Sequence, residues 1–208
     1  MANTLFIKAN DRSSEQAISV QMYEAFLKNY KESNPGEQVT EVDLYKEELP
    51  YYGNDAINGL YKKSNGFDLT EKEAQLVKVI EAYQEQFMAA DKIVFAFPLW
   101  NFTVPAPLIT YISYLSQAGK TFRYTPEGII GLVPDKKVAL LSASGGVFSE
   151  GPMASMEMAV KYIKTAISLW GITNPVQVVI EGHNQYPDRA KEIIADGLNK
   201  TAELAAKF

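Results

Sequence analysis

The chain of 208 residues contains no cysteine and only one histidine, His183. The lack of cysteine excludes disulfide bonds, a cysteine nucleophile and thiolate metal ligands, and one histidine cannot build a multi-histidine metal site. The N-terminal residues show no basic segment followed by a long apolar core, so we expect no signal peptide. The predicted location is therefore the cytoplasm.

Positive charge is also scarce. The 20 Lys and Arg residues are outnumbered by 25 Asp and Glu, and the net charge is −5. A chain without a basic cluster is a poor candidate for binding nucleic acid or an anionic membrane. The uncharged stretch 93–119 is long enough to span a membrane, but Pro98, Pro105 and Pro107 interrupt it. Since proline breaks helix interiors, we expect a buried strand, a loop and an apolar helix there.

Apolar runs alternate with helical patterns along the chain. Strands are predicted at 4–9, 39–45, 92–97, 136–144 and 176–182, and helices at 14–32, 70–90, 105–119, 152–170 and 188–207. Thr70 and Glu73 have the spacing of a capping box. Residues 46–69 show weak periodicity and are predicted to be an irregular excursion, and 120–133 has hairpin character. The alternation predicts an α/β fold: one domain, residues 1–208, with a doubly wound parallel sheet and helices on both faces.

Three loops would meet at the carboxyl ends of these strands, where such sheets bind ligands. The first loop (residues 10–19) leads into a helix N-terminus, which favours an anion, although Ser and Asn there also suit an ordinary cap. The second loop (98–102, PLWNF) is stiff and aromatic; its rings either face a flat ligand or fold back on the core. In the third loop (142–151), Gly145 and Gly146 permit close approach of a ligand or form a plain turn.

Together the three loops suit a ligand that carries both a phosphate and a flat heteroaromatic ring. Flavin mononucleotide (FMN) has both. Four segments also resemble a known family in order and spacing: KIVFAFPLWNFTVPAPL, AGKTFRYTPEG, SASGGVFSEGP and IEGH. The chain resembles, over essentially its whole length, the FMN-dependent NADH-azoreductases, flavodoxin-like homodimers related to quinone reductases. That resemblance implies a five-stranded sheet of order 2-1-3-4-5.

The resemblance also implies roles for individual residues. Asn10, Ala17, Ile18 and Ser19 would hold the phosphate; Pro98, Leu99, Trp100, Asn101 and Phe102 would line the flavin; and Ala143, Ser144, Gly145 and Gly146 would bind its pyrimidine end. Acceptors would contact Phe122 and Tyr124, reaching across the dimer, and Phe148. No catalytic side chain and no metal are expected, because the flavin carries the hydride chemistry.

The activity implied is ping-pong hydride transfer from NADH, through one tightly bound FMN per subunit, to planar aromatic acceptors such as quinones and azo dyes. Azo compounds would be cleaved to aromatic amines in two cycles. The alternative is a flavodoxin-type electron carrier that reacts poorly with NADH. His183 is predicted to be structural or peripheral, because no nucleophile accompanies it.

Two predicted helices lack a polar face. The helix after Pro107 has Leu108, Tyr111, Ile112 and Leu115 on one side and further apolar residues elsewhere, and residues 152–170 are similar. Surface helices normally carry a polar stripe. We therefore predict a homodimer with active sites at the subunit interface, the alternative being that both helices are buried in the core.

Overall fold

A parallel sheet forms the centre of the structure, a computed structural model that describes residues 2–208. The strands are β1 (Asn3–Lys8), β2 (Gln38–Asp43), β3 (Lys92–Pro98), β4 (Phe122–Thr125), β5 (Gly128–Gly131), β6 (Lys137–Ser144) and β7 (Val176–Glu181). Five of them form the sheet in the order β2-β1-β3-β6-β7, all neighbours being parallel. Numbered as sheet strands alone this is 2-1-3-4-5, which confirms the predicted order.

Helices cover both faces of the sheet. They are α1 (Ile18–Ser33), α2 (Asn54–Ser64), α3 (Glu71–Ala89), α4 (Ala106–Leu115), α5 (Ala159–Leu169) and α6 (Ala190–Lys207). Side chains alternate along each strand, so Phe6 and Val94 pack with α1 and α6, whereas Ile7 and Phe95 pack with α3, α4 and α5. The result is two cores, one on each face, and all the strand-to-helix loops of one edge lie side by side.

The structure adds one helix that the sequence pattern did not predict. Helix α2 lies inside the segment predicted to be irregular, and its buried residues are Ala56, Gly59 and Leu60. A Cβ at Gly59 would lie 2.8 Å from Cγ2 of Val77 on α3. Helix α2 has only 11 residues, and Gly59, a poor helix former, lies among its apolar residues, which weakens the helical signal in the sequence.

The predicted hairpin is confirmed. Strands β4 and β5 pair antiparallel, with Phe122 opposite Gly131, and form a sheet separate from the central one. A Cβ on Gly131 would lie 2.1 Å from the backbone nitrogen of Gly171, so this glycine allows the hairpin to contact the backbone at the end of α5.

The two apolar helices differ in how they are buried. Most apolar residues of α4 are buried within this chain, namely Leu108, Tyr111, Ile112, Tyr114 and Leu115. Packing in the core therefore explains most of the apolar character of this helix. Helix α5 begins at 159 rather than 152, because a short 3₁₀ turn precedes it. Within residues 2–208, no helix has both the length and the apolarity needed to cross a membrane.

The capping box of α3 provides a test of the fold. The Oγ1 atom of Thr70 accepts from the backbone of Glu73 at 3.3 Å, and the backbone of Thr70 donates to Oε2 of Glu73 at 2.8 Å. We expect Thr70→Ala to lower the free energy of unfolding by about 1 kcal/mol, since an orphan N–H of the helix loses its acceptor. Urea unfolding followed by circular dichroism measures this. Thr173→Ala, at an exposed loop threonine, is the control and should change the midpoint little.

Candidate functional site

The first loop is organised by the buried side chain of Asn10. Its Oδ1 accepts from the backbone of Arg12 at 3.0 Å, and its Nδ2 donates to Oγ of Ser19 at 3.0 Å. These two bonds fold the loop into a turn of its own. Helix α1 consequently begins at Ile18, four residues later than predicted, with Ala17 as its N-cap.

The N-terminus of α1 has no side-chain cap and no acidic residue in its first turn. Within the described chain, the backbone N–H groups of Ala17, Ile18 and Ser19 have no hydrogen-bond acceptor. The interpretation of this segment as an ordinary capped helix start is therefore wrong. Free N–H groups and the helix dipole make this end of α1 favourable for an anion, and a phosphate fits that requirement.

The second loop forms a tight turn at the end of β3. The backbones of Trp100 and Thr103 exchange two hydrogen bonds, of 2.9 and 3.0 Å. Between them Asn101 and Phe102 have φ of 47° and 68°, the only non-glycine residues with positive φ in the described chain. Such strain often accompanies a ligand site. The turn places the Trp100 ring at the edge of the sheet. There the ring contacts Tyr45 edge-on, with a distance of 6.4 Å between the ring centroids.

The third loop is held by the loop that follows β7. The backbone oxygen of Gly145 accepts from Asn184 at 2.9 Å and from Gln185 at 3.0 Å. A Cβ on Gly145 would lie 2.4 Å from Nδ2 of Asn184. Glycine at position 145 therefore allows the close approach of the two loops.

Glu181 at the end of β7 fixes the outer part of the third loop. Its Oε2 accepts from the backbones of Phe148 at 2.8 Å and Ser149 at 3.0 Å, and its Oε1 accepts from the Ser149 hydroxyl. The Phe148 ring thereby lies edge-on to Phe102, with centroids 6.1 Å apart. Glu181 links the second and third loops without presenting a free carboxylate.

The loops enclose a cleft of about 550 Å³, which we call the central cleft. This volume lies within the roughly 300–1,000 Å³ typical of ligand pockets. Ten of the residues predicted to bind the cofactor line it: Asn10, Ala17, Ile18, Ser19, Pro98, Leu99, Trp100, Ala143, Ser144 and Gly145. The residues predicted to bind the phosphate and those predicted to line the ring thus belong to one concave surface.

The other predicted residues lie outside the lining of the central cleft. Asn101 is exposed on the turn, Phe102 contacts Phe148, and Gly146 lies against Phe148, where a Cβ would be 3.2 Å from its ring. Phe122 is buried in the core of this chain, whereas Tyr124 on the hairpin is 71% exposed. Of these two residues, only Tyr124 presents its ring on the surface of this chain.

The cleft also contains residues that the sequence analysis did not assign to the cofactor. His183, Asn184, Ala190 and Ile194 also line it, all from the segment after β7. The sequence could have indicated this region, because it follows the last predicted strand and the carboxyl ends of parallel strands bind ligands. The Nδ1 atom of His183 is buried without a hydrogen-bond partner, and burial lowers the pKa of this imidazole. At pH 7 the ring is therefore neutral.

Comparison with known proteins identifies the family. A model of the family described as having a flavodoxin-like fold matches residues 2–205. The chain belongs to the flavodoxin-like family. Among curated members of similar sequence, the FMN-dependent NADH:quinone oxidoreductase 3 of Bacillus cereus is 62% identical over 208 residues, which is the whole of both chains.

Solved structures of the flavodoxin-like family agree closely with this one. An azoreductase from Bacillus anthracis has a TM-score of 0.98 and 60% identity, with complete coverage of both chains. An FMN-dependent NADH-azoreductase from the same species, crystallised with FMN, has a TM-score of 0.90 and 27% identity, covering 100% of this chain and 99% of its own. The recognition of the family from the loop motifs is confirmed.

The clamp made by Glu181 leads to a prediction for the third loop. Glu181→Ala leaves the N–H groups of Phe148 and Ser149 without their acceptor, and each lost bond is worth about 1 kcal/mol. We expect amide hydrogen exchange in residues 147–149 to accelerate about tenfold or more. Glu150→Ala removes a neighbouring exposed carboxylate that makes no hydrogen bond within residues 2–208 and is the matched control. Equal exchange in both variants would mean that Glu181 does not hold this loop.

Proposed function

We propose that this chain is an FMN-dependent NADH:quinone oxidoreductase that also reduces azo compounds. The observation that carries the proposal is the uncapped N-terminus of α1 at one end of the central cleft, with the strained aromatic turn at the other. A ligand that satisfies both ends needs an anionic group and a flat ring system. The residues present fit FMN in both respects.

The phosphate would be held by the free N–H groups of Ala17, Ile18 and Ser19. The Oγ of Ser19 accepts from Asn10, so its own proton is available for donation to a phosphate oxygen. Arg12 also lines the cleft and supplies a positive charge. Since Ala17 and Ile18 have no polar side chain, binding of the phosphate rests on the backbone and on these two neighbours.

The ring system would lie between the second and third loops. Leu99 and Trp100 offer apolar surface, and the backbone N–H groups of Asn101 and Phe102 have no acceptor within the described chain. FMN held there would supply the hydride chemistry that links NADH to the acceptor. The protein contributes orientation: the turn is stiff, and its positive φ angles are already present, so little ordering is required when the ring binds.

The chain places no free carboxylate at the aromatic end of the cleft. Glu181 is occupied by the third loop, and His183 is neutral because burial lowers its pKa. No acid–base pair is therefore assigned to the reaction, and protons for the reduced acceptor would come from water.

The enzymatic function is favoured over that of an electron carrier by the relatives. Proteins about 60% identical to this one along the whole chain are named as NADH:quinone oxidoreductases and azoreductases. Quinones and azo dyes are accordingly the acceptors that we propose here, with NADH as the donor. The predicted cytoplasmic location belongs to the same proposal, because NADH is held inside the cell.

The proposal includes a homodimer. The β4–β5 hairpin exposes Tyr124, Ile129 and Ile130, and a two-stranded hairpin is marginally stable alone. Next to it lies a groove of about 610 Å³ whose lining combines apolar side chains, among them Ile112, Ile129 and Tyr162, with hydroxyl groups of Ser and Thr. A second copy would cover this surface and bring Tyr124 to the central cleft of its partner.

Sedimentation equilibrium at micromolar concentration tests the dimer. We expect a mass twice that of the chain, and dissociation in the variant Ile130→Glu, because a charge cannot be buried unpaired in an interface. Met88→Glu introduces the same charge at an exposed methionine of α3 and should leave the dimer intact. A monomeric wild-type protein would contradict the proposal.

The cofactor is tested by the visible spectrum and by ligand choice. The purified protein should be yellow, bleached by anaerobic NADH and recoloured by a quinone.

FMN should bind about tenfold or more tightly than riboflavin, which lacks the phosphate, since hydrogen bonds to a charged group are worth roughly 1.5–3 kcal/mol. Ser19→Ala should weaken FMN more than riboflavin, whereas Ser33→Ala, at the other end of α1, should affect neither.

Two results would count against this function. A yellow protein that NADH cannot bleach would indicate an electron carrier. A colourless protein that takes up no added FMN would overturn the assignment of the cleft.

A further inference from the structure

A second cavity, of about 540 Å³, adjoins the central cleft, and we call it the side cavity. It lies between α5 and the β6–β7 edge of the sheet. Leu99 and Ser144 line both the side cavity and the central cleft, so the two spaces share a wall. The other apolar lining comes mainly from Phe148, Val160 and Val179. The volume and these walls suit an aromatic ring.

The carboxylates and the ammonium groups that line the side cavity differ in their hydrogen-bond partners. The Glu157 carboxylate accepts from backbone N–H groups at the start of α5, at 2.8–3.3 Å. The Glu181 carboxylate is bound by the third loop. Lys161 donates to a neutral carbonyl, that of Ala154, at 2.6 Å. The Nζ atom of Lys164, on the exposed side of α5, makes no ion pair or hydrogen bond within residues 2–208.

Both carboxylates of the side cavity are therefore satisfied by backbone donors, while its two ammonium groups have no anionic partner. An aromatic wall beside unpaired lysines is complementary to an aromatic ring that bears a negative charge. Because Leu99 and Ser144 border both spaces, an acceptor of two linked rings can place one ring beside a flavin held in the central cleft and extend the other ring into the side cavity.

We propose that the side cavity receives the anionic ring of an aryl sulfonate or aryl carboxylate acceptor, and that Lys164, assisted by Lys161, selects for that charge. The inference rests on the proposed function, in that it names the substrate class of that site. It assigns to the enzyme a preference for anionic over uncharged acceptors of the same shape.

A pair of azo dyes differing only in charge provides the test. Methyl orange carries a sulfonate on the ring where methyl yellow carries hydrogen, and both are otherwise 4-dimethylaminoazobenzene. With wild-type enzyme, NADH and the same cosolvent, we expect a higher kcat/KM for methyl orange. In Lys164→Gln the ratio of the two kcat/KM values should fall roughly three- to tenfold, the range for a partly exposed charge contact.

Two variants separate a local contact from the overall charge. Lys164→Arg retains a cation and should keep most of the wild-type ratio. Lys200→Gln removes the same charge from an exposed position on α6 and should leave the ratio unchanged. A fall of equal size in Lys200→Gln, or an unchanged ratio in Lys164→Gln, would overturn the inference.

Binding to the flavin-free protein distinguishes this inference from the proposed function. Calorimetric titration with naphthalene-2-sulfonate needs no hydride transfer, and its Kd should rise at least threefold in Lys164→Gln. If neither dye is reduced but this Kd depends on Lys164, the proposed function fails and the side cavity stands. If both dyes are reduced, and the ratio of kcat/KM values and the Kd are unchanged in Lys164→Gln, the inference fails and the proposed function stands.

Discussion

The buried side chain of Asn10 bonds to the backbone of Arg12 and to the hydroxyl of Ser19, and the candidate site depends on this pair of contacts. An amide that is 1% exposed must find partners, since an unpaired buried polar group is costly. By taking both partners from the first loop, Asn10 ends that loop as a turn and delays the start of α1 to Ile18. The helix N–H groups are thus left free at the edge of the sheet. If the helix began earlier, the N–H groups of Ile18 and Ser19 would bond to carbonyl groups of the helix, and the free N–H groups would belong to earlier residues.

The sheet determines what this anion site faces. In a parallel sheet all carboxyl ends lie at one edge, so the loops after β1, β3, β6 and β7 are neighbours although they are far apart in sequence. Two kinds of contact keep them in place. Strand pairing continues into the loops, as in the 2.9 Å bond from Leu99 to the oxygen of Ala143. Beyond the strands, Glu181 and Asn184 hold the third loop from the side. Strain at Asn101 and Phe102 is tolerated because the surrounding bonds over-determine the turn.

Periodicity predicted the elements whose patterns are strong, and failed where packing is unusual. The five sheet strands, the hairpin and the capping box of α3 follow from local signals, because each depends on residues close in sequence. Helix α2 was not predicted because it is short and contains Gly59, a poor helix former. The starts of α1, α5 and α6 were placed too early, because turns that depend on distant or side-chain contacts precede them.

The amino-acid order alone determined the fold class, the strand-to-loop positions and the two chemical requirements of the ligand, an anion and a flat ring. Those follow from hydrophobic alternation and from motifs a few residues long. Tertiary structure alone decided that α1 is uncapped, that Glu181 is engaged by the third loop, and that Phe122 is buried while Tyr124 is exposed. It also decided which lysines near Leu99 lack a partner. Each of these depends on which distant groups compete for the same hydrogen bond or the same space, and such competition exists only once the chain has folded.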